Sequence, residues 1–213
     1  MMVLKCFFFA LILAFCGAQE EETAPKCDKA KLIRCGEGFG EYLGKHLPGL
    51  YPAPNAAEFG IVLLKAIGNV GGKGFKYWCQ ALTNFSTCLG DQKTACLKAD
   101  VFVEAYGLSE GDAIGYEVAY RDWFAGCKTP IPEEMANCLA NIYKTDLWSF
   151  VSCVADYMKN MQHHPEQACS LTKTYVNCLG DYQASCGEGI KKGVCEEIQF
   201  GIAERMPTCS LEC

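Results

Sequence analysis

Cysteine is the residue type that most restricts the chemistry of this chain, with 16 in 213 residues. An apolar stretch from Cys6 to Phe15 follows Lys5 and precedes Cys16-Gly17-Ala18, which predicts a secretory signal peptide over residues 1–18. Its removal leaves 14 cysteines, an even number that predicts seven disulfides in an oxidising compartment. They are Cys27, Cys35, Cys79, Cys88, Cys96, Cys127, Cys138, Cys153, Cys169, Cys178, Cys186, Cys195, Cys209 and Cys213.

Ser109 lies in the one sequence motif that matches the pattern of a catalytic nucleophile. The segment Gly107-Leu-Ser109-Glu-Gly111 has the G-x-S-x-G spacing of a nucleophile elbow, and Asp146 or Asp156 with His163 or His164 follows in a permitted order for a serine esterase. That elbow requires a strand-to-helix turn in a parallel sheet, for which the chain has at most one plausible strand. The alternative is a capping box, in which Ser109 and Asp112 begin a helix after Gly107 ends one. We predict the cap and no enzyme activity.

Three further groups of residues have a functional and a structural interpretation. His163 and His164 suggest a metal site with Asp156 or a polar loop. The glycines of 68–74 resemble a phosphate loop but lack its spacing and its Ser/Thr, which favours a turn. The stripe of Tyr116, Tyr120, Trp123 and Phe124 indicates core packing or the wall of an apolar ligand pocket. With no C-x-x-C and three His, we predict no metal and no cofactor.

An internal repeat organises the elements that carry these residues. Cys79-x8-Cys88-Leu-Gly-Asp-x4-Cys96 recurs 90 residues later as Cys169-x8-Cys178-Leu-Gly-Asp-x4-Cys186. This predicts two related modules, 19–128 and 129–213, divided near the prolines at 130 and 132. The modules hold six and eight cysteines. At the 90-residue offset, Cys153 and Cys195 have no cysteine counterpart, so we predict that they pair with each other.

Helical periodicity predicts an all-α fold made of two related disulfide-stapled helical modules. Nine residues of helix place the Cα atoms of Cys79 and Cys88 about 13.5 Å apart, beyond the ~7 Å limit for a bridge, so each must bind a different neighbour. Gly90 and Gly180 are predicted to end helices, and Asp91 and Asp181 to begin the next. The regions 56–69 and 101–106 are predicted as helices.

Net charge, hydropathy and one glycosylation sequon indicate which partners and modifications to expect. The net charge is −6 and no basic stripe occurs, which disfavours nucleic acid and anionic membranes. No apolar run is long enough for a transmembrane anchor. Asn84-Phe-Ser86 is an N-glycosylation sequon, so Asn84 is a predicted glycan site.

The paired motifs at 79–96 and 169–186 resemble the helical cysteine motifs of secreted invertebrate proteins such as the insect haemolymph glycoprotein family. Arthropod venom components are similar. The resemblance covers these two segments and implies a secreted helical scaffold, with no catalytic or binding residue.

The sequence therefore predicts a secreted, extracellular, non-enzymatic binding or recognition protein. One version is a venom or defence effector acting on an extracellular protein such as a receptor or channel. Others are a haemolymph or extracellular-matrix component, a carrier of small apolar ligands, or a serine esterase using Ser109.

Overall fold

A computed structural model describes residues 25–50, 55–187, 189–203 and 206–213. In these ranges the protein is all-α, as predicted, and no strand occurs. The predicted signal peptide, residues 1–18, lies outside the described residues. The helices in chain order are α1 Lys29–His46, α2 Ala56–Val70, α3 Lys73–Leu89, α4 Lys93–Cys96, α5 Ala99–Tyr106, α6 Glu110–Gly126, α7 Glu133–Thr145, α8 Leu147–His163, α9 Ala168–Gln183 and α10 Ile190–Ile202.

Local capping explains where several helices begin and end. Asp28 accepts hydrogen bonds from the Ala30 and Lys31 amides at the start of α1, and Asn55 accepts one from the Glu58 amide at the start of α2. Gly107 ends α5 in the left-handed conformation, with φ of +67°. The predicted helices at 56–69 and 101–106 are both confirmed.

The two repeated cysteine motifs are helical, but their ends differ. Gly90 ends α3 with φ of +62°, as predicted. The prediction is wrong for Gly180, which lies inside α9 because the helix continues to Gln183. There α10 crosses so closely that a Cβ at position 180 would lie 2.6 Å from Lys191 Cγ. Asp91 lies within a 3-10 turn, and Asp181 lies inside α9, so neither is the predicted N-cap.

All fourteen cysteines that follow the predicted signal peptide form disulfides in the structure. The pairs are Cys27–Cys96, Cys35–Cys88, Cys79–Cys127, Cys138–Cys186, Cys153–Cys178, Cys169–Cys209 and Cys195–Cys213. No pair crosses residue 129. In the first half, the cysteines pair first with fifth, second with fourth, and third with sixth. The second half has the same order once Cys195 and Cys213 are set aside.

The predicted Cys153–Cys195 bridge is wrong, because Cys153 pairs with Cys178 and Cys195 with Cys213. The error comes from comparing the halves at a fixed 90-residue offset. The first half carries helix α2 between its second and third cysteines, whereas only 15 residues separate Cys153 from Cys169. By order along the chain, Cys153 corresponds to Cys35, so the additional pair is Cys195 with Cys213.

The main hydrophobic cluster contains side chains from both sides of residue 129, although no disulfide joins the two sides. Leu139, Ala140 and Tyr143 of α7 and Ile190 of α10 are buried in one cluster with side chains of α1, α2 and α3. Helix α2 packs on α7, and α6 packs on α10. Gly68 permits the contact between α2 and α7, since a Cβ at position 68 would lie 2.8 Å from the Lys144 amide nitrogen. The two halves therefore share this cluster, and a second, smaller cluster lies within the second half, made of Val176, Cys195, Ile202, Cys209 and Leu211.

A candidate ligand-binding cavity

Helices α1, α2, α5 and α6 border a cavity of about 350 Å³ that is open to solvent on one side. Its lining is aromatic, aliphatic or glycine throughout. The lining residues are Gly36, Phe39, Gly40, Leu43, Leu50, Phe59, Phe102, Tyr106, Leu108, Tyr116 and Tyr120. Volumes above about 300 Å³ are typical of small-molecule sites.

The space exists because α1 presents two glycines on one face. Gly36 and Gly40 are four residues apart and so lie one above the other along the helix. The Tyr106 hydroxyl occupies the room at Gly36, where a Cβ would lie 2.7 Å from it, and this hydroxyl donates to the Leu32 carbonyl at 3.2 Å. At Gly40 a Cβ would have no neighbour within 4 Å. Position 40 therefore faces open space at the cavity wall.

Disulfides hold the cavity walls in place. Cys35, directly before Gly36, joins α1 to Cys88 of α3. Cys127, directly after α6, joins Cys79 of α3. Because both walls are anchored to α3, the cavity is preorganised, which lowers the conformational entropy that a ligand must offset on binding.

The predicted aromatic stripe of α6 contributes both to the hydrophobic core and to the lining of the cavity. Trp123 packs edge-to-face on Trp78, with ring centroids 5.1 Å apart, and belongs to the core. Tyr116 and Tyr120 line the cavity instead and contact Phe102 at 6.4 and 5.8 Å between ring centroids. The sequence showed the stripe but could not show which of its members meets a void.

Burial and nearby groups raise the pKa values of the three tyrosines that line the cavity. Burial, followed by the nearby Glu37 carboxylate, raises the pKa of Tyr106 to about 12. Burial and then Asp112 and Glu58 raise the pKa of Tyr116 to about 12. Burial also raises the pKa of Tyr120 well above its usual value, with Tyr106 and Tyr116 adding to the effect. All three phenols are therefore neutral at physiological pH.

The Ser109 hydroxyl is part of a helix cap, as predicted. It accepts a hydrogen bond from the Asp112 amide at 3.1 Å and donates to the Asp112 carboxylate at 2.6 Å. It stands between two helices, α5 and α6, rather than after a strand. Its hydrogen-bond partner is thus Asp112, and neither His163 nor His164 is hydrogen-bonded to it.

The other sequence candidates lie at exposed or connecting positions. His164 faces Glu166 at 3.5 Å in an exposed segment after α8. Of the glycines of 68–74, Gly71 and Gly72 form the turn between α2 and α3, whereas Gly68 and Gly74 lie inside these helices. Asn84 is exposed on α3, where its side chain accepts a hydrogen bond from Gln80. Among the described residues no cluster of three metal-ligating side chains occurs. No helix of the described ranges has the length and apolar character to cross a membrane.

Sequence reasoning missed a pair of buried carboxyl groups between α6 and α10. Asp122 of α6 lies against Gly201 of α10, and Glu197 of α10 lies against Gly126 of α6, where a Cβ would be 2.9 Å from Glu197 Oε1. Burial raises the pKa of Glu197 to about 7. Burial and then Glu197 raise that of Asp122 well above its usual range. A signal for this pair was present in the sequence. On both helices an acidic residue lies four positions before a glycine, Asp122 before Gly126 and Glu197 before Gly201.

No family model, no curated protein and no solved structure matches this chain. The fold and the site therefore define its class: an all-α protein stapled by disulfides, with an aromatic cavity between helices of its first half. Its disulfide density is typical of extracellular proteins.

Proposed function

We propose that this protein is a secreted, extracellular binding protein that holds a small, largely apolar molecule in the cavity between α1, α2, α5 and α6. The observation that carries the proposal is the cavity itself: about 350 Å³, with six aromatic rings among its lining residues. Burial of apolar ligand surface against such walls is the main favourable contribution to binding. The disulfides support the extracellular location, and no enzyme activity is proposed.

The glycine at position 40 gives a direct test. Gly40→Leu adds a side chain at the cavity wall, at a position where a Cβ would have no neighbour within 4 Å. We expect wild-type protein to bind N-phenyl-1-naphthylamine, a neutral fluorescent apolar probe, saturably at micromolar concentration. Gly40→Leu should weaken that binding by about tenfold or more, because the leucine occupies space that the ligand needs.

The control variant is Gly38→Leu. Gly38 lies on the same helix and is exposed, and a Cβ at this position would also have no neighbour within 4 Å. The variant gains the same helix propensity without lining the cavity, so its probe binding should equal that of wild type. Circular dichroism would establish that both variants are folded. Absence of saturable binding to wild type, or equal loss in both variants, would contradict the proposal.

The venom or defence effector, the haemolymph or matrix component, and the serine esterase remain predictions from the sequence. Gland-restricted expression would favour the effector. Labelling of Ser109 by a fluorophosphonate probe, lost in Ser109→Ala, would favour the esterase and contradict a purely binding role.

A further inference from the structure

The charge of the cavity wall narrows the class of ligand. Among the described residues that line the cavity, none is Lys, Arg or His. Six of them are aromatic, and aromatic faces carry a negative electrostatic potential that attracts cations. The anionic head of a fatty acid would enter this cavity without a positive partner, which is costly for a desolvated charge.

Three carboxylates lie close in sequence to residues of this aromatic wall, each on a different helix. Glu37 follows Gly36 on α1, Glu58 precedes Phe59 on α2, and Asp112 lies one turn before Tyr116 on α6. Their field reaches the cavity, since Glu37 acts on the Tyr106 phenol, and Glu58 and Asp112 act on Tyr116. Burial is the larger cause of both pKa shifts and opposes any charge, whereas the contribution of the carboxylates favours a cation over an anion at the same place.

Two lysines close to these helices are held by other carboxylates. Lys29, at the start of α1, pairs with Glu104 at 2.8 Å. Lys98, directly before α5, lies 3.6 Å from Glu117. Glu117 also pairs with Arg121, and neither ion pair includes a residue that lines the cavity.

We infer that the ligand is a small organic cation with an apolar body, whose ammonium group meets the tyrosine faces beside Glu37, Glu58 and Asp112. This inference rests on the proposed function, because it requires the cavity to be a binding site. Aromatic cages bind ammonium groups through the negative faces of their rings.

Three indole probes that share one ring test the charge preference by calorimetry at about pH 7, where tryptamine is a cation, N-acetyltryptamine is neutral and indole-3-acetate is an anion. We expect tryptamine to bind about tenfold more tightly than the neutral probe, and the anion to bind most weakly. Raising the ionic strength from about 0.01 to 0.15 M should weaken only the binding of tryptamine and strengthen that of the anion.

Glu37→Gln supplies the matched variant, since Glu37 is exposed and its carboxylate forms no hydrogen bond or ion pair with another described residue. It should weaken tryptamine binding roughly two- to fivefold, as expected for one exposed carboxylate, and leave N-acetyltryptamine unchanged. Glu196→Gln, on the exposed face of α10 beside Lys192, should change neither.

The outcomes separate the two proposals. If the naphthylamine probe binds but tryptamine binds no more tightly than its neutral and anionic analogues, the inference of a cationic ligand is overturned and the binding function stands. If the naphthylamine probe and all three indoles fail to bind, the proposed function itself is contradicted.

Discussion

Replacing Glu197 by glutamine should remove a pH dependence from the stability of this protein. Glu197 lies between α6 and α10, against Gly126, with Asp122 of α6 as its acidic neighbour. Glu197 also contributes to the raised pKa values of two tyrosines, Tyr143 of α7 and Tyr175 of α9. Neither tyrosine can supply a positive charge, so ionised Glu197 is uncompensated by these neighbours.

The sign follows from the direction of the shift. Burial raises the pKa of Glu197 from 4.5 to about 7 in the folded protein. Its stabilising contribution is therefore complete below the unfolded pKa near 4.5 and is lost as the pH rises through about 7. At 1.36 kcal/mol per pKa unit, the loss between about pH 5 and pH 8 amounts to about 2–3 kcal/mol.

Guanidinium unfolding of oxidised protein, measured across this pH range, is the assay. Glutamine keeps the shape of the side chain and cannot ionise. The free energy of unfolding of Glu197→Gln, relative to wild type, should thus rise by about 2–3 kcal/mol between about pH 5 and pH 8. The pKa of Asp122 is raised as well, so a weaker dependence of the free energy of unfolding on pH should persist in the variant.

Glu196→Gln is the control, because Glu196 is the adjacent residue on α10 and its side chain is exposed. Its stability relative to wild type should not change with pH. A wild-type protein and a Glu197→Gln variant with parallel pH profiles would refute the reasoning, since burial of Glu197 would then carry no cost in ionisation.

Four other outcomes follow from the structure. Glu117, 4% exposed, accepts hydrogen bonds from the Ala99 amide and Arg121; Glu117→Ala should cost about 2–4 kcal/mol in denaturant unfolding, because it removes the acceptor of the buried Ala99 amide and the carboxylate that faces Arg121, and a loss below about 1 kcal/mol would contradict this. Ser109→Ala should cost about 1 kcal/mol by removing the cap of α6; an unchanged unfolding midpoint would show that the cap is dispensable. Peptide mapping under non-reducing conditions should join Cys153 to Cys178 and Cys195 to Cys213; any peptide that joins Cys153 to Cys195 would overturn the observed pairing. Protein from a eukaryotic secretory host should lose mass on treatment with an N-glycosidase, and Asn84→Gln should abolish that loss; an unchanged mass in wild type would contradict the Asn84 site.

Local rules sufficed for much of the helical structure. The helix rise excluded a Cys79–Cys88 bridge, and the S-x-x-D spacing placed Ser109 at a helix start, because both depend only on residues within three turns of each other. Gly90 ended its helix for the same reason. Gly180, with identical neighbours Leu179 and Asp181, remained helical because α10 packs over it.

The sequence by itself determined the all-α class, the cysteines available for seven bridges, and the aromatic stripe on α6. Periodicity and composition carry this information because side chains three or four residues apart share a face of a helix. Only the tertiary structure decided which cysteine Cys153 meets, that Tyr116 and Tyr120 border a void opposite Gly36 and Gly40, and that Asp122 and Glu197 are buried together. Each of these is a contact between segments far apart in the chain, and helix crossings, rather than any local spacing, bring such segments within reach.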